Sequence, residues 1–293
     1  MISVIIPTMN EEEHIGYCLS SLTSQTLPRE RFEIIVVDGN SSDDTRSIAT
    51  EAGADRIVLQ RRAGIGGARK DGVDAASGDL LVFTDADTLH RPEWLEMIEE
   101  NLVIRRYDVC TGPILFYEKT LRSELLALWR KQYNIFHLFN FYWLIGSNMA
   151  MRRDVYEKID GHRDISILED YDLSWRMFKE GAIRCRYDPR QEVYTSARRI
   201  TNLFTYLLIY MYGHFHYHFT HDYERLLKYP RFDEMDLKVM LEFSKIREVN
   251  RKLEEIHAMF QNRIEPGTKE RSGIAQQSST IHTSEAYDES SDR

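Results

Sequence analysis

Cysteine is scarce: the 293 residues include three, Cys18, Cys110 and Cys185. Odd in number and far apart, they build no disulfide framework and fit a reducing compartment. No Cys or His pair carries the spacing of zinc ligands. Positive charge is also in deficit, with 38 Lys and Arg against 47 Asp and Glu and a net charge of −9. That balance argues against general nucleic-acid binding. Long apolar runs are missing too. The uncharged stretch from Ile200 to His221 comes nearest the ~20 residues that span a bilayer. Asn202, Gly213, four histidines and several tyrosines make it too polar to face lipid. The chain opens directly on a strand-like run, so no signal peptide is expected.

What is present is ordinary globular composition, 42% hydrophobic and 29% charged. The length suffices for one large core, or one core with an appendage. Within it, Phe83-Thr84-Asp85-Ala86-Asp87-Thr88 carries the most information. It ends the apolar stretch Asp79-Leu80-Leu81-Val82-Phe83, which reads as a short buried strand after Gly78. Open α/β sheets bind ligands at the carboxyl edges of their strands. In an extended backbone, side chains two apart point the same way. Two hard carboxylates there suit Mg²⁺ or Mn²⁺ held by a diphosphate. Short Asp-rich loops also arise as turns and caps, so the motif needs its surroundings.

Those surroundings are three more strands. Ile2 to Ile6 is apolar and is cut off at Pro7, with a turn after it that can start a helix at Asn10. Phe32 to Val37 runs into Asp38-Gly39-Asn40-Ser41-Ser42-Asp43-Asp44-Thr45, rich in turn and cap residues. Arg56 to Gln60 leads to Gly64-Ile65-Gly66-Gly67-Ala68-Arg69-Lys70. Helical stretches at about 11–27, 43–53 and 67–77 alternate with these strands. The alternation predicts an α/β fold with a parallel sheet, helices on both faces and polar loops converging on one edge. The glycine run lacks G-x-G-x-x-G spacing and follows the third strand, so it reads as a flexible lead-in to the helix bearing Arg69.

In order and spacing, Pro7-x-x-Asn10-Glu11, Val37-Asp38-Gly39-x-Ser41-x-Asp43-x-Thr45, Gly67-Ala68-Arg69, Gly78-Asp79 and Asp85-Ala86-Asp87 resemble the nucleotide-sugar half of glycosyltransferase family 2 proteins. Gly146-Ser147-Asn148-Met149-Ala150-Met151-Arg152-Arg153, Gly161 and Leu168-Glu169-Asp170-Tyr171-Asp172-Leu173 continue the resemblance, which covers roughly residues 1–200. It implies the GT-A fold, Rossmann-like with a mostly parallel central sheet. It also implies inverting transfer of one sugar from a UDP- or GDP-linked donor, with Mn²⁺ or Mg²⁺ as cofactor. By this resemblance Asp87 is the metal ligand and Asp85 lies nearer the ribose. Asp38 accepts from an imide N–H of the base, Thr8 and Glu11 contact base and ribose, and Pro7 and Ala86 are further donor-binding positions. Arg69 lies near base and diphosphate; Lys70 stands where many relatives have Asn. Asp170 matches the family's Glu-Asp motif and is the expected catalytic base.

Plainer readings stand beside these. Asp38 can cap a turn or helix, and Asp43 is the better cap. Glu169 and Asp170 can serve as the N-terminal acids of a helix over Tyr171–Glu180, with Arg176 placed to pair with one of the nearby acids. Adjacent carboxylates repel, so at least one is expected to hold a raised pKa. The Gln-x-x-Arg-Trp motif of processive synthases is absent, since Trp175 precedes Arg176.

Arg198-Arg199 follow a strand-like Glu192 to Thr195 and are expected to close over the diphosphate or meet an acceptor phosphate, with Arg199 the donor-binding candidate and a solvated basic pair the alternative. His214, His216 and His218 alternate as on a strand. His214 is the one expected to complete the metal shell, against a satisfied or interface histidine. Gln132–Met151 and Ile200–His221 lack Asp, Glu, Lys and Arg and are rich in aromatics. They suit a lipid-linked or membrane-proximal acceptor, another glycan, a protein, or simply a core or dimer helix.

The expected organisation is a GT-A domain over 1–222, with a nucleotide-sugar half at 1–112 and an acceptor and catalytic-base half at 113–222. A C-terminal helical appendage follows at 223–264, then a disordered tail at 265–293 that is poor in large apolar groups. Ile246, Val249, Leu253, Ile256 and Phe260 form a short heptad stripe that suits a homodimer or packing on the domain itself. The enzyme so described is cytoplasmic, with a peripheral position at the inner face of the membrane, and takes a nucleoside-diphosphate sugar and a glycan or lipid-linked acceptor. Three rivals exist. A nucleotidyltransferase would carry a glycine-rich basic loop where this chain has Pro7-Thr8-Met9-Asn10-Glu11. A nucleotide-sugar-binding module would need no base. A scaffold would rest on the 246–260 stripe.

Overall fold

In the computed structural model of the chain, residues 1–198, 210–221 and 223–227 are described. All lie in the first of its two compact units, Met1–Leu241. The expectations for Arg199, for 200–209, for most of the helical appendage and for the tail lie outside the described residues. Among the described residues no helix is long and apolar enough to cross a membrane.

The amino-terminal part alternates strand and helix: β1 (Ile2–Thr8), α1 (Ile15–Thr23), β2 (Phe32–Asp38), α2 (Thr45–Glu51), β3 (Arg56–Leu59), α3 (Gly64–Ala75) and β4 (Leu80–Phe83). Then come β5 (Thr88–His90), α4 (Trp94–Glu99), β6 (Val109–Thr111), β7 (Ile114–Phe116) and α5 (Leu121–Lys131). The rest comprises β8 (Met149–Arg152), α6 (Arg153–Lys158), α7 (Glu169–Glu180), β9 (Cys185–Tyr187), β10 (Val193–Thr195) and a helical segment over 210–220. The main sheet has seven strands in the order β3-β2-β1-β4-β8-β6-β9. β8 runs antiparallel to both its neighbours, while the other pairs are parallel. A smaller sheet, β5-β10-β7, lies beside it in sequence order 5, 10, 7, with β10 parallel to β7 and antiparallel to β5.

β1, β2 and β4 are buried along their whole length, because helices cover both faces of the sheet. Successive residues alternate between two cores. Val4, Ile6, Ile34, Val36 and Val82 meet Ile15, Cys18, Leu19 and Leu22 of α1 and Trp94, Leu95 and Ile98 of α4. Ile5, Ile35, Val37, Leu81 and Phe83 meet Ala68 and Val73 of α3 and Leu173 and Met177 of α7. A slip of one residue would exchange the two sets and ruin both cores, so register is strongly specified. Pro7 costs no ladder bond: its β4 neighbour has already ended, since β4 pairs only with Ile2 to Ile5. Asn148 joins the two sheets, donating to the carbonyls of Pro113 (3.1 Å) and Gln191 (2.7 Å) and accepting from the Trp94 indole (3.0 Å).

Two expectations are corrected. The run Gly64 to Gly67 is the first turn of α3, not a flexible lead-in. Its glycines are there for close approach: a Cβ on Gly66 would sit 2.0 Å from the Arg163 carbonyl oxygen, and one on Gly67 2.7 Å from Arg62 Cβ. Residues 210–220 are helical, so His214, His216 and His218 do not alternate as on a strand. The His214 and His218 rings, four apart, stack at 5.9 Å, and His216 Nδ1 bonds Thr220 Oγ1 at 2.9 Å.

Gly66→Ala should cost about 1–3 kcal/mol, because the added methyl meets backbone that cannot swing away. Urea unfolding of parent and variant measures it, and a shift below experimental error would show that the Arg163 loop gives way freely.

Candidate active site

The carboxyl ends of β1, β2 and β4 form one edge, and the loops after them are stitched together. Thr8 pairs with Asp38 across β1 and β2, and the Gly39 N–H donates to the Thr8 carbonyl at 2.8 Å. The Asn10 N–H donates to Ser41 Oγ (2.9 Å) and the Glu11 N–H to Thr45 Oγ1 (2.8 Å). Asp38 is fully buried, accepts from the Ser41 N–H at 3.1 Å and lies 3.6 Å from Arg46 Nε. Asp43 accepts from the N–H of Thr45 at the start of α2 and from that of Glu12. Both acids therefore brace turns at this edge of the sheet. Thr8 Oγ1 is buried there without a hydrogen-bond partner among the described residues, a costly state that a bound polar group would relieve.

Arg69 is the centre of the site. It projects from α3, is 1% exposed, and spreads its guanidinium over three carboxylates. Nη1 donates to Glu169 Oε1 (2.8 Å) and Asp170 Oδ1 (3.0 Å), and Nη2 donates to Asp85 Oδ1 (3.1 Å). The other Asp170 oxygen accepts from the Gly146 N–H at 2.6 Å. Gly146 has to be glycine, since a Cβ would fall 1.8 Å from Arg69 Nη2. Glu169 and Asp170 open α7, whose N-terminus favours negative charge, after Leu168 in the left-handed region (φ 63°). Burial would lower the Arg69 pKa, but Asp170, Glu169 and Asp85 together hold it above the usual value. Burial first, and Asp170 second, push Glu169 up to about 8 against the pull of Arg69. Burial likewise raises Asp170, with Arg69 and the Gly146 N–H opposing and Asp85 assisting. The pair retains a proton above the ordinary carboxylate range.

A second group surrounds Asp87. Thr195 Oγ1 donates to one of its oxygens at 3.2 Å and Arg198 Nη2 to the other at 3.3 Å. Arg198 also donates to Glu11 and lies 3.4 Å from His14 Nδ1. Asp85 and Asp87 share one turn, so Arg69 and Arg198 grip that turn from its two carboxylates. Behind it, Thr84 Oγ1 donates to the Ser147 carbonyl (3.1 Å) and bonds His90 Nε2 (2.8 Å). Burial pulls His90 down to about 3, so this brace is neutral.

The structure thus brings Asp85, Arg69 and Asp170 into contact, with Asp87 two residues from Asp85 and Glu11 joined to it through Arg198. Ala86 turns its methyl into the first core, leaving its backbone at the turn. Arg176 pairs with Asp172, at 2.5 Å, and not with Glu169 or Asp170. His214 sits among rings, 4.6 Å from Tyr171 and 5.9 Å from Trp143, and burial lowers it to about 4. Among the described residues no three His, Cys, Asp or Glu are grouped to hold a metal ion, and the contacts of His214 are with rings. Arg198 was singled out from sequence within the Arg198-Arg199 pair; Thr195 and the Gly146 N–H were not, and they meet their partners across 108 and 24 residues.

This sheet order, with its Asp-x-Asp turn, defines the fold as GT-A. Solved structures of that class agree: a mannosyltransferase from Pyrobaculum calidifontis in complex with GDP-Man and Mn²⁺ superposes with a TM-score of 0.58 at 18% identity, over 97% of this chain and 81% of that one. TarS 1–349 of S. aureus in complex with UDP-GlcNAc gives 0.54 at 18%, over 73% and 66%. The sequence profile described as Glycosyl transferase family 2 matches residues 3–160, more than half of the chain, and the protein belongs to that family. Glycosyltransferase AglE of Haloferax volcanii is 38% identical over 120 residues, 39% of this chain and 40% of its own. The probable glycosyltransferase YdaM of Bacillus subtilis is 28% identical over 199 residues, 61% and 47%. The match thus spans less than half the length of either curated relative.

An acid whose pKa is raised by folding contributes stability that is complete below its ordinary value, 4.5 for Glu169, and is lost as pH rises through about 8. The melting temperature of the parent should therefore fall between about pH 5 and 8, and Glu169→Gln, permanently neutral, should remove that part of the fall. Equal pH slopes in scanning calorimetry would show that Glu169 is ionised throughout.

Proposed function

We propose that the chain transfers a single sugar from a UDP- or GDP-linked donor to an acceptor hydroxyl, with inversion and dependence on a divalent ion. The observation that carries this reading is the Arg69 contact set. One buried cation joins the carboxylate turn at the donor edge to an acid pair of raised pKa from the later half of the chain. A nucleotidyltransferase or a passive binder has no use for such a pair beside Asp85.

The donor set fits Mn²⁺ or Mg²⁺. Asp87 and Asp85 offer hard oxygens, and Asp87 already faces a cation, the Arg198 guanidinium. The diphosphate of a bound donor would supply further oxygens. When bound, such an ion neutralises charge on the departing diphosphate. Thr8 and Asp38 hold the nucleoside, the first through its unpartnered hydroxyl and the second through its buried carboxylate. Glu11 contributes from the loop after β1, and Arg198 steadies the diphosphate, a task expected of the Arg198-Arg199 pair. Asp170 takes the proton of the acceptor hydroxyl, while Glu169 keeps the proton the pair shares. Arg69 and the Gly146 N–H fix the direction of Asp170. A single base with no enzyme nucleophile makes one displacement, hence inversion. The acceptor is a lipid-linked or membrane-proximal glycan, and the enzyme works at the inner membrane face. That a neighbour was solved with GDP-Man and Mn²⁺ supports the donor class.

Asp170→Asn should bind donor with parental affinity in calorimetry and transfer sugar roughly 10²–10⁴-fold more slowly. A parental rate would remove Asp170 as the base. Asp87→Ala should keep its melting profile and lose turnover stimulated by Mn²⁺; undiminished stimulation would refute the metal role.

A further inference from the structure

We propose that the outward face of α5 and the turn after it dock on the surface of an anionic membrane, resting on the reading above of a lipid-linked acceptor. The helix is locally specified. Thr120 Oγ1 accepts from the Ser123 N–H at 3.1 Å, and Ser123 Oγ accepts from the Thr120 N–H at 2.9 Å, a reciprocal cap. Its inward face is already satisfied, with Leu126 and Ala127 on Phe116 and Ala197. The opposite face should then be polar, as on an ordinary surface helix. Instead Leu121, Leu125 and Leu128, spaced four and three apart, are 75%, 45% and 61% exposed. Ile135 and Leu138 in the following turn, Gln132–Phe139, are exposed as well.

Charge selects the occupant. Residues 119–139 carry Lys119, Arg122, Arg130 and Lys131 against Glu124 alone, in a chain of net charge −9. Leucines flanked by cations on an otherwise acidic protein match the interface of a bilayer with anionic headgroups. A second copy joined two-fold through this segment would set the same cations against one another. The location fits the acceptor. Ala197 lies against the inner side of α5, and its neighbour Arg198 reaches Asp87 and Glu11. Docking by α5 would hold the Asp85–Asp87 edge near the bilayer surface, where the hydroxyl of a lipid-linked glycan arrives.

Co-sedimentation of the full chain with vesicles tests this. The protein should pellet with phosphatidylcholine vesicles containing phosphatidylglycerol and stay in solution with phosphatidylcholine alone, and added salt should release it. The combined change Leu121→Ser, Leu125→Ser and Leu128→Ser should weaken binding roughly tenfold or more. Lys119→Gln, Arg130→Gln and Lys131→Gln together should do the same and abolish the preference for anionic vesicles. No pelleting with anionic vesicles at low salt, or unchanged binding in both variants, would overturn the proposal. So would light scattering that shows a parental dimer split by the leucine changes. Should the leucine variant fail to fold, the charge variant and the salt response still decide. Donor binding, measured in solution by calorimetry, needs no membrane, so loss of the donor reading and loss of the docking reading give different results.

Discussion

One buried guanidinium organises this protein. Arg69 has no water to solvate it and three carboxylates to balance it. Removing one partner of a buried ion pair costs about 3–5 kcal/mol, since the remaining charge is stranded. Here the stranded charges would be acids on two separate elements, the turn after β4 and the start of α7. The contact therefore has two consequences at once: it ties the carboxyl edge of the sheet to the later half of the chain, and it opposes the upward push that burial gives the acid pair.

That arrangement explains several features that would otherwise look unrelated. Gly146 leaves room for the guanidinium and supplies an N–H to Asp170. Gly72 lets α3 lie close on β1, where a Cβ would meet Ile5 at 2.4 Å, and so brings Arg69 down to the sheet edge. Asn148, two residues after Gly146, ties β10 to the main sheet and thereby positions Thr195 and Arg198 against Asp87. The two arginines hold the Asp85–Asp87 turn from opposite carboxylates. Each carboxylate of that turn therefore faces a guanidinium of the chain before any ligand arrives.

Much of this was legible in the residues. Apolar runs punctuated by Pro7, Gly39 and Gly78 marked β1, β2 and β4, and the alternating stretches at about 11–27, 43–53 and 67–77 marked the helices between them. The Asp85-x-Asp87 and Glu169-Asp170 pairs were visible as chemistry before any fold was known. The three-residue strands β5, β6, β7, β9 and β10 were harder. They are too short to show a period, and only β10 left a trace. The glycines of α3 misled because helix propensity disfavours them, whereas close approach to Arg163 and Ile165 requires them. The histidines at 214, 216 and 218 misled in the opposite sense, since alternation over three residues fits a strand and helical ring stacking equally well.

The sequence by itself determined the alternation of strand and helix, the buried register of the central strands and the identity of the acids, because these depend on local periodicity and on residue type. Tertiary structure alone decided that Arg69 would be shared by three of those acids, that Arg198 would meet Asp87, and that α5 would keep leucines on its outer side. Those outcomes rest on contacts between residues 16 to 111 positions apart and on which helix face the sheet happens to cover. Such facts are carried by the packing of the whole chain and by no segment of it.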